Sequence, residues 1–296
     1  MTNNFIGHSA EAPTHALADV SSSLALLVDQ AIAATIPEET AKLAVNGDPE
    51  TLATLGRAIA VQEGYLIEAV VASLAATHPD RLTLSGVRLP LLPAALDLIR
   101  KNRKSLYEGL SLDATAGSTA IYHPDLVIAD PHTRSALIVD VKRSLSGYMG
   151  GGKLAELQHR MTASGLVLPD ILWRDHQRLA VETVGTAIID ASRTSHDVSD
   201  GVWPISRLDD LLDIDDAGAL AVGSLEAFRS GVRNVWRNAI EASFPTAARS
   251  GMPIITAPDH GKKPRRLPHK APQPEGPVQT RSPITVGPFG PGVRAH

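Results

Sequence analysis

Apolar residues recur at intervals of three and four along the first quarter of the chain, a spacing that predicts amphipathic helices. One helix is predicted over residues 16–34, and Pro37 begins a second, short one. Asp48 followed by Pro49 is a favourable helix start, so a long third helix is predicted from there to about Ala76. The apolar stripe of this helix comprises Leu52, Leu55, Ile59, Leu66, Val70 and Leu74.

The middle of the chain shows the patterns of β-strands. Residues 81–90 alternate between apolar and polar side chains, which predicts a strand. Residues 126–129 and 136–139 are continuous apolar runs of the kind that buried strands show. The polar residues 130–135 between them predict a turn, so the two runs form a predicted hairpin. Residues 178–189 predict one further strand.

Helical patterns separate and follow these strands, over residues 93–107, 153–163 and 196–244. The order of helix, strand, hairpin, helix and strand predicts an α/β fold, with a mixed sheet flanked by helices. Four segments are predicted along the chain: a helical N-terminal extension (1–48), an α/β core (49–195), a helical C-terminal subdomain (196–244) and a disordered tail (245–296).

Composition limits the location and the chemistry. The 296-residue chain contains no cysteine, which excludes thiolate catalysis, disulfides and cysteine zinc sites. Its N-terminus lacks a basic segment followed by an apolar one, and no run approaches the roughly 18 apolar residues that span a bilayer. We therefore predict a cytoplasmic protein with no membrane partner.

Charge is distributed unevenly around a formal net charge of −4. Eight of the 28 basic but only two of the 32 acidic residues lie after residue 244, so the tail is basic and the rest of the chain is acidic. The tail also contains 11 of the 21 prolines, a composition that predicts disorder. Its basic cluster, residues 262–266, is predicted either to attract nucleic acid or only to aid solubility.

Candidate chemistry lies at the ends of the predicted hairpin. Asp125 precedes the first strand, and Asp140 and Lys142 end the second. Strand residues two apart share a face, so Asp140 and Lys142 point the same way and Val141 points into the opposite layer. Two carboxylates beside one lysine could hold a divalent cation and activate water against a phosphodiester. The alternative is a solvated Asp–Lys pair at a strand end.

This pattern resembles the PD-(D/E)XK nuclease superfamily, over roughly residues 50–192. The matching residues are Pro124, Asp125, Asp140, Val141 and Lys142. The resemblance implies a restriction-endonuclease-like sheet and a metal-dependent nuclease that hydrolyses DNA. It further implies that Asp125 and Asp140, together with the Val141 carbonyl, hold Mg²⁺, with Mn²⁺ able to substitute, and that Lys142 positions the attacking water.

A glutamate on the first core helix is also implied by the resemblance. Glu63 lies at the centre of the apolar stripe, which is anomalous for an acid, and it is the preferred candidate for the metal and catalytic site. Glu68 is the alternative, predicted to point to the opposite, Ala-rich face. Glu63 could instead pair locally with a basic group.

Basic and polar residues near the motif are candidates for contact with the DNA backbone. Arg143 follows the motif, and Lys153 and Gln158 lie on the next predicted helix. Ordinary helix surface is the alternative for Lys153 and Gln158. A further basic cluster ends the helix predicted over residues 93–107, where a solvated helix end is the simpler interpretation.

Other functions remain open at this stage. Residues 147–153 match the G-x-x-x-x-G-K part of a phosphate-binding loop, but Leu154 stands where a hydroxyl must hold magnesium. A second hypothesis is a nucleic-acid-binding or mobile-element accessory protein that keeps the fold without the chemistry. A third is an α/β domain that acts only through partners. A homodimer is also left open.

Overall fold

The computed structural model describes residues 13–118, 120–148, 150–192, 198 and 200–244, with side chains from residue 19 onward. The predicted disordered tail lies outside these residues. The helices are α1 (Pro13–Thr35), α2 (Glu38–Val45), α3 (Pro49–Ala75), α4 (Pro93–Lys101), α5 (Lys153–Gly165), α6 (Leu168–Asp175), α7 (Leu208–Leu212) and α8 (Ala217–Ser243). The strands are β1 (Leu82–Leu84), β2 (Leu89–Leu91), β3 (Ala120–Tyr122), β4 (Leu126–Asp130), β5 (Ser135–Lys142), β6 (Thr183–Asp190) and β7 (Val202–Pro204).

The long helix α3 begins as its sequence predicts. The Asp48 side chain accepts a hydrogen bond from the Glu50 backbone N–H at 3.2 Å, and Pro49 occupies the first helical position. A side-chain oxygen at this point satisfies one of the otherwise unpaired N–H groups of the first turn. The start of α3 therefore agrees with the prediction, and its end at Ala75 lies one residue before the predicted one.

A mixed five-stranded sheet forms the centre of the fold, in the order β1-β4-β5-β6-β7. β4 and β5 pair antiparallel as the predicted hairpin, with Leu126 opposite Val139 and Asp130 opposite Ser135. β5 and β6 pair in parallel, and the connection between them passes through α5 and α6. β2 and β3 form a separate two-stranded antiparallel sheet that packs against α5.

Two hydrophobic clusters cover the two faces of the sheet. Val139 and Val141 belong to the cluster that contains residues of α1, α2, α3 and α8. Ile138 belongs to the other cluster, with residues of α4, α5, α6 and the two-stranded sheet. The fold is thus α/β, with a mixed sheet flanked by helices, as predicted. The alternation along β5 also directs its even-numbered side chains toward α5.

The strand predicted over residues 81–90 is wrong as a single element. Leu84 ends β1 in the main sheet, and Leu89 begins β2 in the two-stranded sheet. Gly86, with a φ of +69°, lies between them and redirects the chain. The helix predicted to reach Tyr107 ends at Lys101, after which residues 104–106 form a single 3₁₀ turn.

Three short elements were missed, and one boundary was misplaced. The elements are β3, α6 and β7. β7 pairs with β6, although residues 196–244 were predicted to be helical throughout. The strand predicted from Arg178 begins at Thr183. Arg178 itself cannot be part of an extended strand, because Gln177 and Arg178 have positive φ angles of 53° and 60°.

The helices before and after the sheet pack against one another. Residues of α1, α2, α3 and α8 share one hydrophobic cluster, in which Leu24, Val70 and Phe228 are almost completely buried. By length and apolar composition alone, α3 passes the test for a membrane span, as does the bent pair of α1 and α2. Such helices are weak evidence for a membrane span, because the core helix of a soluble protein can have the same length and composition. α3 packs on β4, β5 and α8, and 39% of its apolar window is buried. The cytoplasmic location stays a prediction.

Candidate metal centre at the end of the central hairpin

The two strands of the hairpin bring three of the predicted site residues together. Asp125 lies directly before β4, and Asp140 and Lys142 lie in the last residues of β5. Asp140 and Lys142 share one face of the strand, and Val141 is buried in the cluster on the opposite face. The structure therefore places Lys142 within ion-pair distance of both Asp125 and Asp140, so the three residues lie together at the end of the hairpin.

Three oxygen atoms converge on the ammonium group of Lys142. Lys142 Nζ contacts Asp140 Oδ1 in a close ion pair and lies 3.7 Å from Asp125 Oδ2. The same Nζ donates a hydrogen bond to the Val141 carbonyl oxygen at 3.1 Å. One positive centre thus has two carboxylates and a carbonyl around it, and all three contacts come from side chains and backbone at the end of the hairpin.

The backbone of β5 fixes the orientation of Asp125. The Val141 N–H donates a hydrogen bond of 2.6 Å to Asp125 Oδ2. Burial raises the pKa of Asp125, the Val141 hydrogen bond opposes that rise, and the Asp140 charge adds to it. The net effect is a raised pKa, which describes a carboxylate that would gain from a nearby cation.

Asp140 is held by a tyrosine that was not predicted as part of the site. The Asp140 side chain is only 4% exposed. Its Oδ2 atom accepts a hydrogen bond of 2.8 Å from the hydroxyl of Tyr122. Burial, followed by the charge of Asp140, raises the pKa of Tyr122, so the phenol is a donor at neutral pH. Among the described residues, Asp140 Oδ1 accepts no hydrogen bond of good geometry, and the Lys142 ammonium is its close partner.

Lys142 remains charged in this environment. Burial lowers the pKa of Lys142, but the attraction of Asp140 and then of Asp125 outweighs burial, and the pKa of Lys142 is raised overall. Tyr148, in the loop after β5, also acts on Lys142 electrostatically. The ammonium therefore marks a position where the surrounding oxygens stabilise positive charge.

The donor set suits a hard divalent cation. Mg²⁺ prefers oxygen ligands and commonly takes one or two carboxylates while keeping several waters. Asp125, Asp140 and the Val141 carbonyl supply such oxygens, and they already surround a positive charge. No group of three or more histidine, aspartate or glutamate residues with metal-binding geometry occurs in the part of the chain that the structure describes. Any cation here would be bound by two carboxylates, the carbonyl and water.

The structure places Glu63 and Glu68 in different surroundings and favours Glu68 over Glu63 as the helix glutamate of the site. Glu63 is buried, and its carboxylate accepts a hydrogen bond of 2.7 Å from Arg229 Nε on α8 and lies 3.6 Å from Arg143 Nη1. Glu68 is half-buried, and burial is the main cause that raises its pKa. The negative charges of Asp125 and Asp140 also raise the pKa of Glu68, whereas the positive charge of Lys142 lowers it. Glu68, which was expected to point elsewhere, is thus the helix glutamate within electrostatic reach of the site.

Arg143 and Gln158, two of the three predicted DNA contacts, have other partners. Arg143 reaches across to Glu63. Gln158 donates a hydrogen bond of 2.6 Å to the Asp200 carbonyl and lines a cavity of about 480 Å³ between α5 and β6, whose lining includes neither Asp125 nor Asp140.

Lys153 is exposed at the first position of α5 and keeps the placement that the sequence suggests. Much of the basic cluster near α4 is engaged in ion pairs. Arg100 pairs with Glu156 at 3.1 Å, and Lys101 pairs with Asp97 at 2.9 Å. This agrees with the interpretation of a solvated helix end.

Tyr122 and Arg160 are the residues of the site that sequence reasoning missed. Tyr122 lies only three residues before Asp125, and its position in a short apolar run, Ala120–Tyr122, was a usable strand signal. Arg160 on α5 acts electrostatically on Tyr122, and its Nε atom is buried without a hydrogen-bond partner among the described residues. No local sequence signal points from Arg160 to a strand 38 positions earlier in the chain.

The competing phosphate-loop interpretation finds the expected strand and helix but not the expected ligand. The loop does connect β5 to α5, and Gly151 and Gly152 have positive φ angles of 67° and 73°. Leu154, however, packs its side chain against a hydrophobic cluster. Asp190, at the end of β6, is the residue that could serve as the acidic strand end of such a site. Its Oδ1 atom accepts hydrogen bonds from the Ser192 backbone N–H at 3.0 Å and from the Ser192 hydroxyl at 2.8 Å. A magnesium ligand set of the phosphate-loop type is not formed by these residues.

Comparisons with known proteins add no relative. No family model, no curated protein and no solved structure matches the chain.

Proposed function

We propose that this protein is a Mg²⁺-dependent deoxyribonuclease whose centre is built by Asp125, Asp140 and Lys142. The observation that carries the proposal is the convergence of two carboxylates and the Val141 carbonyl on a single positive charge. The motif resemblance of residues 124–142 to the PD-(D/E)XK superfamily supports it, as does the mixed sheet flanked by helices. The proposal includes a restriction-endonuclease-like arrangement of this sheet and its helices.

The residues divide the work between holding the cation and handling the water. Asp125, Asp140 and the Val141 carbonyl would hold Mg²⁺, which when bound polarises the phosphodiester and lowers the pKa of water. Lys142 would orient the attacking water and stabilise the negative charge that develops on the phosphate oxygens. Glu68 replaces Glu63 in the proposed site because its charge is coupled to all three residues.

Positive charge on α5 would guide the DNA backbone to this centre. Lys153 is exposed at the start of α5, and Arg160 on the same helix acts electrostatically on Tyr122. Cations near a phosphate path give affinity without sequence preference. These two residues take the place of Arg143 and Gln158, which are bound elsewhere in the structure.

The first experiment is cleavage of supercoiled plasmid by the purified protein, with Mg²⁺ or Mn²⁺ and with EDTA. Nicked or linear plasmid is expected with either cation and none with EDTA. Asp140→Asn and Lys142→Ala should each lower cleavage by at least about 100-fold, since each removes a group that acts on the transition state.

Matched control variants separate chemistry from folding. Asp29→Asn on α1 and Lys42→Ala on α2 change the same residue types at solvent-accessible positions far along the chain from the motif, and both should keep full cleavage. Unfolding midpoints by circular dichroism show whether the site variants remain folded. Full activity in a folded Lys142→Ala or Asp140→Asn variant would refute the assignment.

A second candidate is a nucleic-acid-binding or mobile-element accessory protein without cleavage. The observation that favours it is that Lys142 lies within ion-pair distance of both carboxylates, so its ammonium compensates one of their two negative charges. Fluorescence polarisation with labelled DNA tests it beside the plasmid assay. Salt-sensitive binding of DNA with no cleavage in Mg²⁺ or Mn²⁺ would favour this candidate over the nuclease.

A further inference from the structure

Tyr122 joins the two-stranded sheet to the candidate metal centre. It ends β3, where it pairs in register with Leu89 of β2, and the chain then runs through two residues to Asp125. Tyr122 is only 6% exposed. Its ring lies in the hydrophobic cluster with Leu89 and Met161, whereas its hydroxyl reaches Asp140 on a different sheet. The phenol is thus anchored at one end and directed into the site at the other.

The hydrogen bond fixes which oxygen of Asp140 is available. An ionised carboxylate only accepts hydrogen bonds, so the Tyr122 hydroxyl is the donor to Oδ2. Oδ1 is then directed to Lys142 and, through it, to the point where the Val141 carbonyl and Asp125 also meet. Without the phenol, the Asp140 carboxylate could rotate, because nothing else described in the structure donates a hydrogen bond to Oδ2.

We propose that Tyr122 is a positioning residue, which orients the Asp140 carboxylate for a divalent cation and thereby sets the affinity of the centre for that cation. The inference rests on the proposed metal centre but not on cleavage of DNA. Tyr122 contacts neither substrate nor cation in this role and acts only through Asp140.

Tyr122→Phe tests the inference, because it removes the hydroxyl and keeps the ring in its hydrophobic surroundings. Groups that orient metal ligands typically contribute a factor of about 10 to 100 in metal affinity. We therefore expect the dissociation constant for Mn²⁺ alone, measured by calorimetry or electron paramagnetic resonance on the full chain without DNA, to rise by roughly this factor. Where cleavage is observed, the half-saturating Mn²⁺ concentration should rise similarly, with little change in kcat at saturation.

Two control variants separate orientation from folding. Tyr65→Phe removes a hydroxyl from an exposed tyrosine of α3, 60% exposed, and should leave Mn²⁺ affinity unchanged. Leu89→Val loosens the packing of the same pair of strands around the Tyr122 ring but keeps the phenol hydroxyl. If Leu89→Val weakens Mn²⁺ binding as much as Tyr122→Phe at an equal loss of unfolding midpoint, the effect is one of folding and the inference is overturned.

The outcomes also distinguish this inference from the nuclease proposal. Wild-type affinity in Tyr122→Phe overturns the inference while leaving the nuclease proposal intact. Weakened Mn²⁺ binding in Tyr122→Phe, in a protein that cleaves no plasmid, supports the inference and removes the nuclease. Absence of Mn²⁺ and Mg²⁺ uptake by the wild-type protein overturns both.

Discussion

Lys142 holds the site together at the scale of single residues. Its ammonium contacts Asp140, lies 3.7 Å from Asp125 and donates to the Val141 carbonyl. Its side chain is 22% exposed, so these contacts are only partly screened by solvent. Two acids this close would repel each other without it, and that repulsion would act in a buried environment.

Lys142→Met should therefore destabilise the protein more than an ordinary surface substitution. We expect a loss of about 2 kcal/mol in the free energy of unfolding, since buried carboxylates lose their charged partner. Saturating Mn²⁺ should restore part of this loss, because a cation bound only to the folded state adds stability by mass action. Urea unfolding with and without Mn²⁺ measures both effects. Lys42→Met on α2 is the control. If Mn²⁺ raises the free energy of unfolding of Lys142→Met no more than that of Lys42→Met, this account is contradicted.

Glu63 and Glu68 make opposite predictions although they lie on the same helix. Glu63→Gln should lower stability by about 1–2 kcal/mol, because it removes the charge that pairs with Arg229 and Arg143, with little change in Mn²⁺ affinity. Glu68→Gln should lower Mn²⁺ affinity and cleavage with little change in stability, since its charge acts on the centre. Calorimetry and urea unfolding of the two variants decide the question, and a reversed pattern would restore Glu63 to the site.

The sequence predicts part of the site because local geometry determines that part. The two-residue spacing of Asp140 and Lys142 is enough to place both on one face of a strand, and the turn after β4 brings Asp125 alongside. Glu63 could not be placed in this way. An acid on an apolar stripe requires a partner, but its partner Arg229 lies 166 residues away on α8, and no pattern within α3 identifies it.

At the scale of elements, the sequence predicts long patterns and loses short ones. The hairpin of β4 and β5 carries two apolar runs and a polar turn, which together determine its register. β3 and β7 each contain three residues, too few to show a period, and each forms only by pairing with another strand, β2 and β6 respectively. Residues 81–90 alternate correctly throughout, yet Gly86 sends the two halves into different sheets.

The start of α8 packs closely on the turn before α7, and its glycines allow a matched test. A Cβ added at Gly218 would lie 2.5 Å from the Ser206 carbonyl oxygen, whereas one added at Gly223 meets nothing within 4 Å. Gly218→Ala should cost about 1–3 kcal/mol of stability, because a backbone group cannot move aside easily. Gly223→Ala should gain up to about 1 kcal/mol from helix propensity. Urea unfolding compares them, and equal effects would contradict this packing.

At the scale of the whole molecule, the acidic sheet-and-helix unit and the basic tail carry opposite charge. Removing residues 245–296 from the count leaves 20 basic and 30 acidic residues, so attraction of a polyanion must come from local clusters or from the tail. The cluster near α4 is largely ion-paired, as the contacts of Arg100 and Lys101 show. The structure of the tail lies outside the described residues, but its charge follows from the sequence.

Two quadruple variants test which cluster attracts DNA. The first changes the tail residues Lys262, Lys263, Arg265 and Arg266 to glutamine. The second changes Arg100 and Lys101 at the end of α4, together with Arg103 and Lys104 directly after it, to glutamine. We expect the first to weaken duplex binding more and to flatten the slope of log K against log salt by up to about 4, since each lost phosphate contact lowers the slope by about 0.9. Fluorescence polarisation across a salt series measures both slopes, and a larger change in the α4 variant would place the attraction there.

The clustering of Asp125, Asp140 and Lys142 has a consequence for the order in which ligands arrive. Two carboxylates and one ammonium sum to a single negative charge, the Glu68 carboxylate adds to it when ionised, and the centre therefore repels a phosphate group. Adding a divalent ion would cancel this negative charge at the same position. The centre would then repel a nucleic acid before it binds the metal and no longer repel it afterwards. The cation would therefore be required for binding of the nucleic acid as well as for the reaction.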